Sequence, residues 1–497
     1  AEDKPMQFME MEESMAMDAM NNRKKWGKWL WHALPLAALL VWGAFCITDQ
    51  LWYDEAFSAG LVMQPWKKMI YITAVDDHSP FYYMLLKLFY HLCGGGTHFK
   101  ILKLFSLLFM IGYMLLGKYY VSRLFNQEIS VWFMLFSLCM PIMSVQAGNV
   151  RMYSMALFFM TLAGLLAYDI YREESRSKWI LFALSSICIV YCHTFAMIQA
   201  VWLYLIFMAA LIRSRQFQKL KRFFVCGAVV SLVFSPWLVV TFKQMQLRMR
   251  YDTGSAEELA GVRELADYCR EWFSAVETPI ELVVYLGIGL AAVMAVSAVL
   301  WMRREKSYAP ALGAAAFVLT ALTGFLISVF VNNCFMGRYA FPGFGFIMLV
   351  YAVGMCRIRK IWARGCVVAV ALICLVLQYR SELELEYDGG LEAYESFFSE
   401  QVGKEDALIG PHGHAVFLSV YHPDQAYYLS GYVPVDLSFP NLEPCYDIGQ
   451  LIRERETVWY IAFAGDSPDD VQEGLRFEEA AAFHYMYYDF VIYKMLR

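Results

Sequence analysis

Charge is what this sequence has least of. Only 18% of its 497 residues are Asp, Glu, Lys or Arg, against about 25% in ordinary soluble domains. A soluble globular enzyme is thereby excluded, because 59% hydrophobic residues leave more apolar surface than one core can hide. Disorder, collagen and coiled coil fail on the same composition. The little charge present is balanced: 41 Lys and Arg stand against 46 Asp and Glu, a net −5. With no basic excess, no nucleic-acid partner is expected. Nor is there a CxxC pair among the 12 cysteines. Most of them, such as Cys139, Cys188, Cys226 and Cys374, sit in apolar runs as small hydrophobes rather than in a disulfide or zinc framework. Internal repeats are absent, and Trp29–Thr48 lacks the small-residue cleavage site of a removable signal, so it reads as a retained first span.

What the sequence does have is long uncharged stretches, and its mean hydropathy is +0.43. A helix needs about 20 apolar residues to cross the hydrocarbon core. Candidates lie at 29–48, 99–117, 130–148, 152–170, 179–192, 194–212, 223–242, 281–301, 309–331, 339–356 and 362–379, about eleven in all. The run Trp179–Ile212 has no charge across 34 residues. As one helix it would be about 51 Å long, so it is read as two spans with His193 at the tip of the hairpin. Six alternate connections are basic: 23–28, 118–123, 171–178, 213–222, 302–306 and 357–364. All fall on one side of an eleven-span arrangement, which the positive-inside rule makes cytoplasmic. The protein is expected to be a multi-pass α-helical protein of a bacterial cytoplasmic membrane, in contact with membrane lipids.

Three segments lie outside the spans. Residues 1–28 read as a cytoplasmic tail whose acidic, Met-rich start has no periodicity. The spans occupy 29–379. Residues 380–497 are charged and read as a small extracytoplasmic α/β domain. Its strands are expected at 406–410, 415–421, 457–463 and 485–496, and its helices at 391–402 and 446–454.

The residues able to do chemistry collect on the outer face. LWYDEAFSAG (51–60) sets Asp54 and Glu55 just beyond the first span. AVDDHSPFYYMLLKLFYHL (74–92) follows, with Asp76, Asp77 and His78. Its apolar part, 81–92, is too short to cross and is read as a helix lying in the interface. Paired acids there suit a general base and an orienting group, although a solvated loop would also carry them. VQAGNVRMYS (145–154) puts Arg151 on a very short outer turn, and NNCFMGRYAFPG (332–343) puts Arg338 at the start of a span. A charge at such a boundary is costly unless it snorkels or meets an anion. His193 in YCHTFA and Trp237 in SPWLVV stand near the same face. Acids for proton transfer and arginines for phosphate, converging on one membrane face, point to an outer-leaflet site. No Gly-rich nucleotide loop is evident, and GGG (94–96) lies on the outer side, where nucleotide sugars are scarce.

WYDEAFSA, DDHSPFYYMLLKLF, Q-x4-RMYSMA, CHTFA, SPWL and GRYAFP, in that order over roughly residues 30–360, resemble bacterial members of glycosyltransferase family 39. That family belongs to the GT-C superfamily, with protein O-mannosyltransferases and the aminoarabinose transferase of lipid A as relatives. The resemblance implies an inverting, multispan GT-C enzyme that uses a polyprenyl-phosphate sugar. Carried over by motif, Asp54 is the base, Glu55 stands beside it, and Asp77 is the second acid. His78, Arg151 and Arg338 face the donor phosphate. Tyr153, His193, Trp237 and Tyr339 are expected in the substrate pocket. Relatives usually show two prolines after the His; here the first place is Ser79 and only Pro80 remains. Some relatives bind a divalent metal near the second acid, and Asp77 with His78 allow one without requiring it.

The expected reaction moves one sugar from polyprenyl phosphate to an acceptor hydroxyl on a glycan, lipid or protein. The outer domain is expected to recognise the acceptor and to be dispensable for donor binding. The rival readings are a transporter or flippase of lipid-linked sugars and a polyprenyl-diphosphate glycan ligase. Against transport, the polar groups cluster at one face rather than at the midplane.

Overall fold

In the computed structural model the chain is described over residues 29–76, 78–251, 262–274, 280–331, 333–430, 439–466 and 475–496. The expected N-terminal tail, 1–28, and Asp77 lie outside the described residues. The protein is a polytopic membrane protein. Among the described residues nine helices are long and apolar enough to cross a membrane, ten if one bent pair counts as a span.

All eleven candidate stretches are helical, but two are not full-length straight spans. The stretch 130–148 is broken into Gln127–Cys139 and Pro141–Gly148, bent by 71°. Pro141 causes the break: it has no N–H to continue the ladder and opens the second piece at its first helical position. The stretch 179–192 forms Arg176–Val190, only 15 residues, or about 22 Å.

The first outer loop is more helical than expected. The interfacial helix Phe81–Leu92 forms as read, and Tyr53–Met63 and Trp66–Val75 precede it. Asp54 and Glu55 therefore occupy the first turn of a helix, where its positive end favours carboxylates.

Three long helices share a polarity. Tyr153–Arg172, Thr194–Arg213 and the helical stretch Gly337–Arg357 all begin among the outer motifs and end on an arginine. Small residues let neighbours close up: a Cβ at Gly354 would stand 2.6 Å from the Met294 carbonyl oxygen.

The C-terminal domain is a mixed six-stranded sheet of order β3-β2-β1-β4-β6-β5. Its strands are β1 (Ala407–Gly410), β2 (Ala426–Ser430), β3 (Leu442–Cys445), β4 (Val458–Phe463), β5 (Arg476–Tyr485) and β6 (Tyr488–Leu496). β1 pairs in parallel with β2 and β4, while β6 runs antiparallel to β4 and β5. The expected helices form as Gly390–Gln401 and Ile448–Glu454. One expected strand does not form: 415–421 is instead the helical turns Gly413–Val416 and Phe417–Tyr421. A continuous apolar run that is buried throughout carries no period to separate strand from helix.

The boundary at 379/380 falls inside a continuous helix, Ile361–Glu386. That helix carries Glu386 to the buried Lys103, which also donates to Thr48 Oγ1 at 3.2 Å. Beyond it, the Tyr421 and Tyr485 hydroxyls accept the Leu51 N–H at 3.0 and 3.1 Å. Those hydroxyls donate in turn to the carbonyls of Asp49 and Leu51. The outer domain thus grips the chain immediately before Asp54, which argues against its being dispensable for donor binding.

Lys103→Met should strand Glu386 as an unpaired buried carboxylate and destabilise the protein by roughly 3–5 kcal/mol. Adding Glu386→Gln should recover most of that loss. Thermal unfolding of the detergent-purified single and double variants measures both.

Candidate active site

The site is built from three chain segments that are far apart in sequence. The first is the helix Tyr53–Met63. Glu55 in its first turn reaches back to accept the Trp52 N–H at 3.2 Å, the acid half of a capping box. Its other oxygen accepts the Val150 N–H at 2.9 Å. That second bond ties the helix to the 148–151 turn, the second segment, and brings Arg151 against Asp54. The third is the Gly337–Gly343 turn. Its position is set by the helix Val262–Glu271: Trp272 Nε1 donates to the Gly337 carbonyl at 2.9 Å, and Glu271 accepts the Arg338 N–H at 3.1 Å. Only glycine fits at 337, since a Cβ there would meet the Tyr268 carbonyl oxygen at 2.3 Å.

At the centre Asp54 lies between two guanidinium groups. Its Oδ2 is 3.6 Å from Arg338 and 3.9 Å from Arg151. Both are ion-pair distances and too long for hydrogen bonds. Nε of each arginine is buried without a hydrogen-bond partner. Arg151 also donates to the Tyr83 hydroxyl at 3.2 Å and the Asp54 carbonyl at 3.4 Å. Burial opposes its charge, but Tyr83, Asp54, Tyr153 and Asp76 outweigh that and raise its pKa above the ordinary value.

His78 joins the cluster from the far side. Its Nε2 is 2.7 Å from an Arg151 nitrogen and its Nδ1 is 2.6 Å from Asp76 Oδ2. A guanidinium has only donors, so Nε2 accepts and Nδ1–H donates to Asp76. The acid that orients His78 is thus Asp76, and the expected second acid, Asp77, lies outside the described residues. Gln244 holds this loop from the helix Phe217–Tyr251, donating to the Thr73 carbonyl at 2.8 Å and also to that of Asp76.

His193 caps the helix Thr194–Arg213, its Nδ1 accepting the Phe195 N–H at 3.2 Å. Burial, then His78, Arg151 and Arg338, press its pKa well below the ordinary histidine value. It is therefore neutral and presents Nε2–H. Its ring lies 4.8 Å from Tyr339 and 5.7 Å from Tyr153. Asp54, His78, Arg151, Arg338, Tyr153, His193 and Tyr339 thus gather in one place. Trp237 sits half-buried on the helix Phe217–Tyr251, and none of its ring contacts reaches this group among the described residues.

Beside Arg338 a cavity of about 260 Å³ separates the helices from the outer domain. Trp52, Tyr487, Glu55, Glu271, Glu382 and Glu386 are on its wall. Asp54 and Arg151 stand outside its lining.

At His78, where the sequence allows a divalent metal, Nε2 faces the Arg151 guanidinium and Nδ1 faces Asp76, while Asp77 lies outside the described residues. No group of three His, Cys, Asp or Glu at metal-binding distance occurs among the described residues.

Two solved structures are similar over nearly their whole length. ArnT from Cupriavidus metallidurans bound to undecaprenyl phosphate matches with a TM-score of 0.61 at 13% identity, covering 93% of this chain and 98% of that one. The fold is that of the GT-C glycosyltransferases. ArnT in the apo state gives the same TM-score at 12% identity, with 93% and 97% covered. A looser match is the oligosaccharyltransferase of Archaeoglobus fulgidus in the apo form, with a TM-score of 0.45 and 9% identity over 87% of this chain and 69% of that one. No family model matches the sequence, and no curated protein matches it by sequence. The likeness shows the fold and does not single out family 39.

Within the GT-C frame, sequence reasoning missed Asp76 as the partner of His78, and Tyr83, Gln244 and Glu271 altogether. Glu55 has a role that position alone did not reveal. Burial pushes its pKa up to about 7 from 4.5; Lys103 pulls it down, Glu386 pushes it up, and the Val150 and Trp52 amides lower it further. Between those values the folded protein holds a proton that the unfolded chain has lost. Stability from this group is therefore greatest at acidic pH and is lost as pH rises through 7. Glu55→Gln should flatten the fall in unfolding temperature between about pH 5 and pH 8. A pH series of thermal melts on both proteins checks this.

Proposed function

We propose that the chain transfers a single sugar from a polyprenyl-phosphate donor to an acceptor hydroxyl at the outer face of a bacterial cytoplasmic membrane, as its resemblance to family 39 implies. The observation that carries this reading is two guanidinium groups, that of Arg151 buried and that of Arg338 half-buried, each with a buried, unpartnered Nε atom beside one carboxylate. Orphaned charged donors at a membrane boundary call for an anion with several oxygens, and a lipid phosphate is such an anion. ArnT was solved with undecaprenyl phosphate bound, which supports a lipid of that class as donor here. The positive-inside rule supports the orientation, since Arg172, Arg213 and Arg357 mark the opposite ends of the helices that start at the site.

The adjoining cavity suits a monosaccharide. At about 260 Å³ it falls below the ~300–1,000 Å³ of pockets for drug-sized ligands. Its carboxylates can accept sugar hydroxyls and its aromatic rings can stack on a sugar face.

In the reaction, Asp54 takes the proton of the acceptor hydroxyl as that oxygen bonds to the anomeric carbon. The bond from the anomeric carbon to the phosphate oxygen breaks, and the electron pair leaves with polyprenyl phosphate. Arg151 and Arg338 stabilise that charge, and His193 Nε2–H stands near as a neutral donor. His78, held by Asp76, positions Arg151. While the phosphate is absent, Asp54 is the anion between the arginines. Donor binding draws the arginines to phosphate and leaves the carboxylate free to act as base.

Asp54→Asn should lower turnover by about 10²–10⁴ while donor binding persists. Near-normal turnover would remove Asp54 from the mechanism. Sugar transfer from a synthetic polyprenyl-phosphate donor in nanodiscs, with donor affinity in parallel, is the measurement. Arg151→Met and Arg338→Met should each weaken donor binding by about 1.5–3 kcal/mol. The comparison of polyprenyl phosphate with polyprenol isolates the phosphate contribution, and an unchanged preference would show that both arginines merely snorkel.

A further inference from the structure

A second cavity, of about 820 Å³, opens at the opposite end of the bundle from the active site. Its walls are apolar, with Phe133, Leu203 and Phe207 among them. Its mouth is basic. Arg172 and Arg213, the last residues of their helices, and Lys306, just after Glu281–Glu305, all line it and all are exposed. Arg172 donates to the Leu124 carbonyl at 3.0 Å. None of the three has an acidic ion-pair partner among the described residues.

The depth of the cavity is informative. Along Tyr153–Arg172 the lining runs from Thr161 to Arg172, and along Thr194–Arg213 from Leu203 to Arg213. Both distances are about 15 Å at 1.5 Å per residue, half of a hydrocarbon core about 30 Å thick. The cavity is therefore as deep as one leaflet and ends on cations at the headgroup level. A polyprenyl tail descending from the active site would arrive here with its apolar end, which has no use for three cations.

We infer that this cavity binds an anionic diacyl phospholipid of the cytoplasmic leaflet, with an acyl chain between the helices and the phosphate among Arg172, Arg213 and Lys306. Basic pockets between membrane helices on this side recognise acidic headgroups by charge. The site is separate from the donor site and would couple enzyme stability to the acidic-lipid content of the membrane.

The test uses the full chain, purified in a neutral detergent and titrated with dioleoylphosphatidylglycerol or dioleoylphosphatidylcholine, with bound lipid counted by native mass spectrometry. Phosphatidylglycerol should bind about tenfold more tightly than phosphatidylcholine. Arg213→Gln with Lys306→Gln, both at exposed positions, should erase that preference. Ala210→Phe, which fills the cavity wall, should weaken both lipids alike, and retained sugar transfer by each variant shows that it is folded. The inference is overturned if wild type shows no preference or if the preference survives the double substitution. It is equally overturned if polyprenyl phosphate displaces phosphatidylglycerol one for one, because the cavity then belongs to the donor tail.

Discussion

The outer end of this bundle is organised around keeping one guanidinium, that of Arg151, charged at a depth where water is scarce. Its side chain is only 5% exposed, and an isolated charge so placed would cost several kcal/mol. Tyr83, His78 and Asp54 answer it from three directions. Each of these is itself held: His78 by Asp76, the loop behind them by Gln244, and Asp54 by the helix that Glu55 pins to Val150. The result is a rigid, charged floor on which segments separated by almost a hundred residues meet.

This explains which parts of the molecule could be read beforehand. Run length alone located every span and the helix 81–92, because the bilayer imposes its thickness on any sequence that crosses it. Arg151 and Arg338 stood out for the same reason, as charges in turns too short to be solvated loops. The supporting residues carry no such mark. Glu271 and Gln244 are polar residues on ordinary helices, and only the folded geometry aims them at Arg338 and at the 73–78 loop. The choice between two adjacent acids was also beyond a linear reading. Asp76 closes the helix Trp66–Val75, and that turn directs its carboxylate to His78. In the outer domain β1, β4 and β6 were legible, while β2, β3 and β5, short or rich in charge and alanine, were not. The fully buried run 415–421 had no solvent side to betray its period.

The C-terminal domain is bound to the loop that carries Asp54 more intimately than a separable module would be. Tyr421 and Tyr485 hold Leu51 three residues before Asp54, and Met486 and Tyr487 complete the wall of the cavity beside Arg338. The cavity is thus walled by both the helical part and the sheet domain.

The helix Arg176–Val190 has a consequence for the lipid rather than for the protein. At 15 residues it is about 8 Å shorter than a full hydrocarbon core and is not among the helices long enough to cross it. Such a mismatch is relieved by thinning of the surrounding bilayer. Its C-terminal end leads to His193, so a thinned patch would border the candidate site. A leaflet thinned there would bring lipid headgroups nearer to the depth of Arg151 and Arg338.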